Sequence, residues 1–296
     1  MLLIVHNPLS NNRKSKKTTN KWVRFFKRHK VPFTVRSTLK IDDLNAYLVQ
    51  HDNITDLLYL GGDGSINYLI NNMDISKIKQ NIYLSKSGSG NDYLRSLKQV
   101  KDGEVILGEA STNVGKTKFI NGCGIGFDAL VVYYVNNDSR KSKISYFLNV
   151  FKAVFKYDRS DLEVVVDEKE YMFHNTYFIA IQNGKYFGGG MKVTPKGDPT
   201  KDTFQICIAH SLNAAILLSL FSTIYLGLHP LIKKKITMLE GKVISVKVPS
   251  PRYLQADGEV LENVQEMTVT KSISKKIVAF NKRNFLKQFK ATAAKK

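Results

Sequence analysis

Cysteine is scarce in this sequence, and its scarcity excludes two classes of protein. Only Cys123 and Cys207 occur in 296 residues, and neither belongs to a CxxC, an HExxH or a cluster of histidines. A disulfide framework or a zinc site needs more cysteine, or cysteine and histidine at ligand spacing. We therefore expect a fold held together by its core, in a reducing, intracellular setting.

Long apolar runs are also missing. Four apolar residues follow Met1 before His6 and Asn7 interrupt them, a pattern that predicts a strand rather than a signal peptide. The most apolar later stretch, residues 212 to 228, contains polar side chains and is shorter than the roughly 20 apolar residues of a membrane span. We predict a buried or interfacial helix there and no transmembrane segment.

Acidic residues are few compared with basic ones. The chain has 45 Lys and Arg against 25 Asp and Glu, a formal net charge of +20, which suits nucleic acid, an anionic membrane or an anionic substrate. The basic residues concentrate in residues 13–30, 139–143, 233–235 and 282–296. Four such segments favour a membrane surface or a phosphate-rich ligand. Because no nucleic-acid-binding motif is recognisable, we expect no nucleic-acid partner.

The first basic segment allows two interpretations. Trp22, Phe25 and Phe26 lie at helical spacing among lysines and arginines, as in an amphipathic helix that rests on anionic lipid. A solvated charged face above an aromatic core contact explains the same pattern equally well.

The pattern of the chain changes near residue 118. Before it, continuous apolar runs alternate with amphipathic stretches, which predicts an α/β domain over residues 1–118 with a parallel sheet and ligands at the carboxyl ends of its strands. After it, alternating apolar and polar residues predict an antiparallel β-sandwich domain over residues 119–280, with helical inserts around 128–157 and 212–234. The C-terminal segment 281–296 is a candidate to rejoin the first domain.

Glycine surrounds an acid in LGGDGS, which places Asp63 among Gly61, Gly62 and Gly64 between a strand and a helix. Glycine backbone can close on a phosphate at a helix start, and Asp63 could hold Mg²⁺, orient a water or accept a proton. A tight turn with Asp63 as an N-cap explains the segment equally well.

A second glycine turn, SKSGSGNDYLRSL, follows the next predicted strand. Gly88 and Gly90 flank Ser89, and Asn91 and Asp92 open a helix. Because neighbouring parallel strands end at the same sheet edge, we expect the two turns to form one crevice, each with an acid at its helix start.

Three further segments carry candidate residues. ASTNVGKT nearly matches a P-loop, but Ala110 replaces its first glycine and a strand pattern follows, so we treat the match as accidental. YLQADGEVLE sets Asp257 and Glu259 on either side of a glycine, where both could face one metal or hydroxyl, although DG also favours an ordinary hairpin. Asp198 and Asp202 could ligate a cation or lie in a plain surface turn.

Taken in order, NP with Ser10, GGDGS, GSGND, NGCGIGFDA, GGGMKVTP and DGE resemble the diacylglycerol kinase catalytic-domain family, which includes soluble bacterial lipid kinases and sphingosine kinases. The resemblance covers residues 2 to about 280. Each motif is weak alone, and the ordered set is specific. GGDG also occurs in NAD kinases, but GSGND is similar to the GTGND turn of the lipid kinases, with Ser89 in place of threonine.

The resemblance implies an N-terminal Rossmann-like α/β nucleotide-binding domain, a C-terminal β-sandwich domain and an active site in the cleft between them. It implies transfer of the ATP γ-phosphate, with Mg²⁺, to a lipid hydroxyl. We expect diacylglycerol as the lipid substrate, because the compact architecture resembles the soluble bacterial enzymes. A sphingoid base, ceramide or another glycerolipid is the alternative.

Carried over residue by residue, the resemblance implies three groups of site residues. The ATP site comprises Asn7, Ser10, Gly61, Gly62, Gly64, Ser65, Gly88, Ser89, Gly90, Asn91 and Glu259. The metal residues are Asp63, Asp92, Glu259 and Asp202, of which Asp202 alone remains from a turn that reads DDG in the family. Asp257 is the preferred general base, and Asp63 is the second choice.

We expect a cytoplasmic enzyme, peripheral at the inner membrane surface, whose basic segments bind anionic lipid by charge. The family resemblance is compatible with a homodimer. Two other functions remain open. An NAD kinase would bind no lipid. A non-catalytic lipid-binding protein would keep the fold and lose the acids, whereas residues 63, 92, 257 and 259 are all acidic here.

Overall fold

The structure is a computed structural model that describes residues 1–8, 15–87, 90–98, 104–138 and 143–293. The chain begins with alternating strands and helices: β1 Leu2–His6, α1 Ser15–Arg28, β2 Phe33–Ser37, α2 Leu44–Gln50, β3 Asp56–Gly61, α3 Asp63–Asn72, β4 Asn81–Lys86 and α4 Asp92–Leu97. Strands then dominate: β5 Val105–Thr112, β6 Gly115–Phe119, β7 Gly122–Gly126, α5 Phe127–Asn137, α6 Lys143–Lys156, β8 Ser160–Val166, β9 Lys169–Gln182, β10 Phe204–His210, α7 Ala214–Leu226, β11 Ile236–Gly241, β12 Ile244–Ala256 and β13 Glu259–Lys275. The last elements are β14 Ile277–Ala279 and α8 Lys282–Ala293, and short 3₁₀ helices cover Thr38–Lys40, Ile75–Lys77 and His229–Leu231.

The chain divides into two compact units, Met1–Val105 with Lys275–Lys296, and Ile106–Ser274. The sequence placed the corresponding boundaries at 118/119 and 280/281, later than the structure does in both cases. The first boundary moves because β5 and β6 form an antiparallel hairpin that belongs to the sheet of the second unit. The second moves because β14 pairs with β4 and thereby returns the chain to the first unit.

The first unit is built on a parallel sheet. Within the described residues its strand order is β14-β4-β3-β1-β2, and every pairing in it is parallel. The central strand β3, with the sequence DLLYLG, is almost wholly buried, as a sheet covered on both faces requires. The predicted α/β architecture is confirmed.

The aromatic residues of α1 belong to the core of the first unit. Trp22 and Phe26 are buried, and both rings contact Phe280, while Phe26 also packs against Phe285 of α8. An amphipathic helix that offers these rings to lipid is therefore the wrong interpretation of this segment. The aromatic core contact is the correct one, because the returning C-terminal segment covers the apolar face of α1.

The second unit is a β-sandwich, as predicted. Two long strands, β9 and β12, each pair with β7 along one part of their length and with β8 along another. Their inner faces enclose a core that includes Phe119, Leu162, Ile179, Ile206, Ile244 and Leu254.

Three helices cover the outer face of β9 and β10. Alternate strand residues such as Ala180 and Cys207 point away from the sandwich core and pack against α5, α6 and α7. Helix α7 begins at Asn213, whose side chain accepts a hydrogen bond from the Ile216 amide, and it ends at the left-handed Gly227. No helix in the described part of the chain combines the length and the apolar character needed to span a bilayer.

Candidate active site

The carboxyl ends of β1, β3 and β4 form one edge of the parallel sheet. His6 pairs with Leu60, and Gly61 pairs with Lys86, so the three strands end side by side. In the sheet, β2 lies on one side of β1, and β3 and β4 lie on the other side. The strand order therefore reverses between β1 and β3. Ligands of open α/β sheets bind at such a point. Asn7, half-buried, follows β1 there.

Asp63 joins the two glycine turns at this edge. Its carboxylate accepts hydrogen bonds from the backbone N–H groups of Asp92, at 2.9 Å, and Tyr93, at 3.3 Å. Its own N–H donates to the carbonyl of Gly90 at 3.3 Å. The prediction that the two turns form one crevice is therefore confirmed.

The cap made by Asp63 differs from the one the sequence suggested. Gly62 is the N-cap of α3 and makes no side-chain cap bond, so Asp63 does not cap the helix that it begins. It caps α4 of the neighbouring turn instead, where the preceding Asn91 makes no side-chain cap bond to the helix. Its negative charge at this helix start is favourable, because helix N-termini attract anions.

The glycines of the two turns differ in their surroundings. A Cβ on Gly61 would lie 2.6 Å from the Cβ of Ser65, and a Cβ on Gly90 would lie 3.1 Å from the Asp63 carboxylate, so packing explains both glycines. A Cβ on Gly64 would meet nothing within 4 Å, although this exposed residue lies in the first turn of α3. Glycine in a helix costs about 1 kcal/mol relative to alanine. The protein leaves the space beside Gly64 open.

Asp92 is the second acid of the crevice. Its carboxylate is 3.1 Å from the guanidinium of Arg95 on the same helix, and its side chain is buried while that of Arg95 is about half exposed. Among the described residues, Asp63 and Asp92 do not join a third acid, histidine or cysteine in a metal-binding cluster. The predicted nucleotide residues Ser10, Gly88 and Ser89 lie outside the described residues.

Asp257 occupies the hairpin turn between β12 and β13. Its φ is 52° and that of Gly258 is 94°, the left-handed pair expected for an Asp-Gly hairpin. The carboxylate accepts backbone N–H bonds from Ile120 at 2.6 Å, Asn121 at 2.9 Å and Gly122 at 3.1 Å. These three donors engage both of its oxygens. In this geometry Asp257 ties its own hairpin to the β6–β7 turn.

Asp128, which the sequence did not single out as a site residue, lies behind the same hairpin. Gln255 connects them: its amide N–H₂ donates to one oxygen of Asp128 at 3.2 Å, and its carbonyl oxygen accepts from the Gly258 amide at 3.4 Å. The other Asp128 oxygen is buried without a hydrogen-bond partner. Burial raises the pKa of Asp128 to about 6. Its interactions with Gln255 and with nearby backbone N–H groups act in the opposite direction and lower the pKa, but burial has the larger effect. The only sequence signal was a lone acid in the apolar stretch NGCGIGFDALVV.

Asp128 forms part of the wall of an apolar cavity in the second unit. The cavity is lined by Phe127, Asp128, Phe178, Ala180, Phe187, Met191, Val193, Leu217, Leu220, Ile224, His229 and Ile236. Its volume is about 60 Å³, whereas ligand pockets typically measure about 300–1,000 Å³. Helix α7 supplies Leu217, Leu220 and Ile224 to its wall.

Asp202, which we predicted as a ligand of a second metal ion, forms an ion pair with a lysine of another turn. The carboxylate of Asp202 lies 2.5 Å from the ammonium of Lys242, and both side chains are exposed. Asp198 uses its carboxylate within its own turn, on Thr200. Lys271, whose ammonium donates to the Asn183 side chain, has its pKa lowered to about 8 by burial, with Asp202 and Asp198 opposing. Lysine side chains thus supply positive charge where we had predicted Asp202 as a metal ligand.

Two other sequence interpretations have clear outcomes. ASTNVGKT forms the β5–β6 hairpin, in which Thr112 pairs with Gly115 across the turn. Rejecting it as a P-loop was correct. Glu259 begins β13 beside the Asp257 turn and is exposed.

The chain matches two family models and several known proteins. The diacylglycerol kinase catalytic domain matches residues 1–118, and the YegS C-terminal NAD kinase beta sandwich-like domain matches residues 122–275. The chain is 25% identical over 243 residues to "Putative lipid kinase YtlR" of Bacillus subtilis (strain 168), which covers 72% of this chain and 76% of that protein. It is 24% identical over 218 residues to a "Putative lipid kinase" of Staphylococcus aureus (strain Newman), covering 69% and 71% respectively.

A solved structure shows the same fold. The "Crystal structure of a putative diacylglycerol kinase from Bacillus anthracis str. Sterne" has a TM-score of 0.71 with this chain at 18% sequence identity, and covers 94% of this chain and 95% of its own. The two family models match in the order that the sequence motifs indicated. The chain therefore belongs to the diacylglycerol kinase catalytic-domain family, with the YegS-type C-terminal NAD kinase beta sandwich-like domain following the catalytic domain.

Proposed function

We propose that this protein is an ATP-dependent lipid kinase that transfers the γ-phosphate to the hydroxyl of diacylglycerol and forms phosphatidic acid. The observation that carries the proposal is the Asp63 carboxylate, which bonds the start of α4 beside an unobstructed glycine at the start of α3. Membership of the diacylglycerol kinase catalytic-domain family supports it.

On this proposal the ATP phosphates lie at the carboxyl edge of the parallel sheet. The ten-residue helix α3 presents its N-terminal amides there, and Gly64 leaves room for close approach. Asn7, at the end of β1, is placed to contact the same ligand.

The acids of the first unit fit a magnesium ion, because carboxylate oxygens are its preferred protein ligands. We assign Asp63 and Asp92 to hold it, and Glu259 remains a ligand that the family resemblance implies. Bound Mg²⁺ supplies the charge neutralisation that phosphoryl transfer needs. The Asp63 carboxylate also bonds the backbone N–H groups of Asp92 and Tyr93. These bonds fix the relative position of the two turns that would face the phosphates.

The geometry changes our choice of general base. Asp257 was preferred from the sequence, but it accepts amide bonds of 2.6, 2.9 and 3.1 Å within a hairpin turn, whereas Asp63 accepts amide bonds of 2.9 and 3.3 Å at the carboxyl edge of the parallel sheet. Both side chains are partly buried. Hydrogen bonds to its charged form make a carboxylate a weaker proton acceptor, and the shortest of the bonds compared here is made to Asp257. We therefore assign the base role to Asp63 and a positioning role to Asp257.

The second unit supplies the features that a lipid substrate needs. The apolar cavity is suited to acyl chains once α7 moves outward, and Asp128 offers a buried oxygen without a partner. A lipid hydroxyl would satisfy that oxygen, whose isolation is otherwise costly. We propose Asp128 as a hydroxyl-binding residue, and we place the enzyme in the cytoplasm, peripheral at the inner membrane surface.

Transfer of labelled γ-phosphate from ATP tests this proposal. The acceptors are diacylglycerol, a sphingoid base, ceramide and NAD, with each lipid in anionic mixed micelles. We expect labelled phosphatidic acid and no labelled NADP, and a rate that Asp63→Asn lowers by about 10²- to 10⁴-fold. Absence of label in every lipid, or full activity of Asp63→Asn, would reject the proposal. Sedimentation velocity on the same protein tests for a homodimer.

A further inference from the structure

The chain segment after α7 exposes an unusual number of large apolar side chains. Within residues 225 to 232, which we call the apolar tip, the exposed side chains are Tyr225, Leu226, Leu228, Leu231 and Ile232. Leu226 is 66% exposed and Leu231 is 75% exposed. Apolar side chains this concentrated on a surface usually mark an interaction site.

The backbone of the apolar tip is held rigidly. Gly227 ends α7 in the left-handed conformation, and its N–H bonds the carbonyls of Thr223 and Ile224. His229 is buried and its Nε2 donates to the carbonyl of Val193 at 2.9 Å. Lys192 donates its N–H to the Ile224 carbonyl. The exposed side chains are therefore displayed by a fixed backbone, which reduces the entropy lost when they bind.

Lysine residues lie next to the apolar tip. Lys233 and Lys234 follow it directly and are exposed, and Lys192 packs beside Gly227. From residue 203 to residue 239 the sequence contains no aspartate or glutamate. An apolar surface beside the exposed Lys233 and Lys234 complements an anionic lipid interface.

We propose that the apolar tip enters the interface of an anionic phospholipid bilayer, with Lys233 and Lys234 against the lipid phosphates. Ile224, His229 and Ile236, which flank and anchor the apolar tip, also line the cavity of the second unit. Docking here brings the cavity wall formed by α7 against the lipid layer. This step rests on the proposed function, because it makes the bilayer the source of the substrate.

A second copy of the chain fits the apolar tip less well than a bilayer does. A stable protein interface buries roughly 1,200–2,000 Å² in total, more than eight residues supply alone. In a symmetric pair of tips, Lys233 and Lys234 would also face the same lysines of the other copy, and like charges in contact are unfavourable.

Sedimentation with vesicles, in the absence of ATP, tests the proposal. The vesicles contain phosphatidylcholine, with or without phosphatidylglycerol as the anionic lipid. We expect Leu226→Ser with Leu231→Ser to lower the bound fraction at least tenfold, and Lys233→Ser with Lys234→Ser to lower it about tenfold at low salt. Binding should depend on phosphatidylglycerol. These side chains are exposed, so thermal unfolding should not change.

Two control variants make the test specific. Val49→Ser, at a side chain 82% exposed in the first unit, and Met172→Ser in the second unit should both bind as the wild type does. The exposed stripe of α6, changed as Leu148→Ser with Phe151→Ser, is the competing surface. Loss of binding in the α6 variant with full binding in the apolar-tip variant would overturn the proposal. So would conversion of a dimer to a monomer by the apolar-tip variant without loss of vesicle binding.

Failure of this inference can be told apart from failure of the proposed function. Phosphate transfer to a short-chain, water-soluble diacylglycerol should proceed at the same rate in the wild type and the apolar-tip variant. If the wild type phosphorylates no lipid, the proposed function fails while the vesicle result stands. If the wild type is active and the apolar-tip variant still binds vesicles, only the docking site is wrong.

Discussion

Asp63 and Asp257 look alike in sequence, since each follows a strand and stands beside glycine, but their turns use the carboxylate differently. Asp63 accepts two amide bonds from the neighbouring turn and lies beside Gly64, around which the protein leaves space. Asp257 accepts three amide bonds and lies in a left-handed hairpin turn that it ties to β6 and β7.

This difference shows that an acid among glycines has no single meaning. Where the carboxylate connects two helix starts at the carboxyl edge of a parallel sheet, the arrangement suits a phosphate ligand. Where it closes a hairpin on an adjacent turn, the arrangement mainly stabilises backbone. The predictions below test whether the two acids separate in this way.

The largest effect is expected for Asp63→Asn. Loss of the proposed base should lower the rate of phosphate transfer by about 10²- to 10⁴-fold. Stability should fall by only about 1 kcal/mol, the usual value of a helix cap. The matched control is Asp56→Asn at the opposite end of β3, which should keep the wild-type rate. Equal rates for Asp63→Asn and the wild type would end the distinction between the two turns.

Asp257→Asn should act mainly on stability. In the variant, the NH₂ group of asparagine replaces one carboxylate oxygen and faces a backbone N–H group. That N–H group loses its acceptor, which should lower the free energy of unfolding by roughly 1–3 kcal/mol. The comparison is Asp167→Asn, because Asp167 also lies in a left-handed turn and accepts the amides of Lys242 and Val243. Urea unfolding should show a loss for both. A variant of Asp257 that is fully stable but inactive would return the base role to that residue.

Asp128→Asn should stabilise the second unit in a pH-dependent way. Because burial raises the pKa of Asp128 from 3.8 to about 6, the folded protein retains a proton between these pH values that the unfolded chain has lost. Stability therefore falls as the pH rises through this window, and the cost persists above it. Asparagine removes that cost. The free energy of unfolding should therefore rise by about 2–3 kcal/mol above pH 6 and be unchanged below pH 4.

The same variant tests the role of the Asp128 oxygen. Thermal unfolding across the pH range measures its stability, and lipid phosphorylation measures the loss of hydroxyl binding as an increased KM. Unchanged lipid kinetics would assign Asp128 a purely structural role.

The smallest effect is expected for Gly64→Ala. Alanine is the better helix former, so stability should rise by roughly 0.5–1 kcal/mol. ATP affinity, measured by calorimetry, should fall roughly tenfold because the methyl group fills the open space. Gly61→Ala is the contrast within the same turn, since its Cβ would clash with Ser65 and destabilise the unit. Undiminished ATP binding by Gly64→Ala would place the phosphates elsewhere.

The sequence correctly predicted the features that depend on elements adjacent along the chain. Apolar runs and helix patterns indicated the parallel sheet, and the glycine turns had to meet because β3 and β4 are adjacent and parallel. The predicted boundary at 118/119 coincides with the end of the diacylglycerol kinase catalytic-domain match, whereas the contacts of the structure divide at Val105/Ile106. The two differ because a hairpin of polar and apolar residues does not reveal which sheet it joins.

Distant side-chain contacts were beyond the sequence. Asp128, Gln255 and Gly258 are linked although Asp128 precedes the others by more than a hundred residues, and no periodicity records that link. The pairing of Asp202 with Lys242 depends equally on the alignment of separate strands. Such contacts depend on tertiary packing, which also decided that Trp22 faces the core.

The most direct test of the account is the structure of the protein with Mg²⁺ and a non-hydrolysable ATP analogue. We predict the β- and γ-phosphates at the start of α3, against the backbone of Gly64, with Asp63 and Asp92 beside the metal ion. Phosphates bound at the β5–β6 hairpin, or a metal ion held without Asp63, would contradict the account.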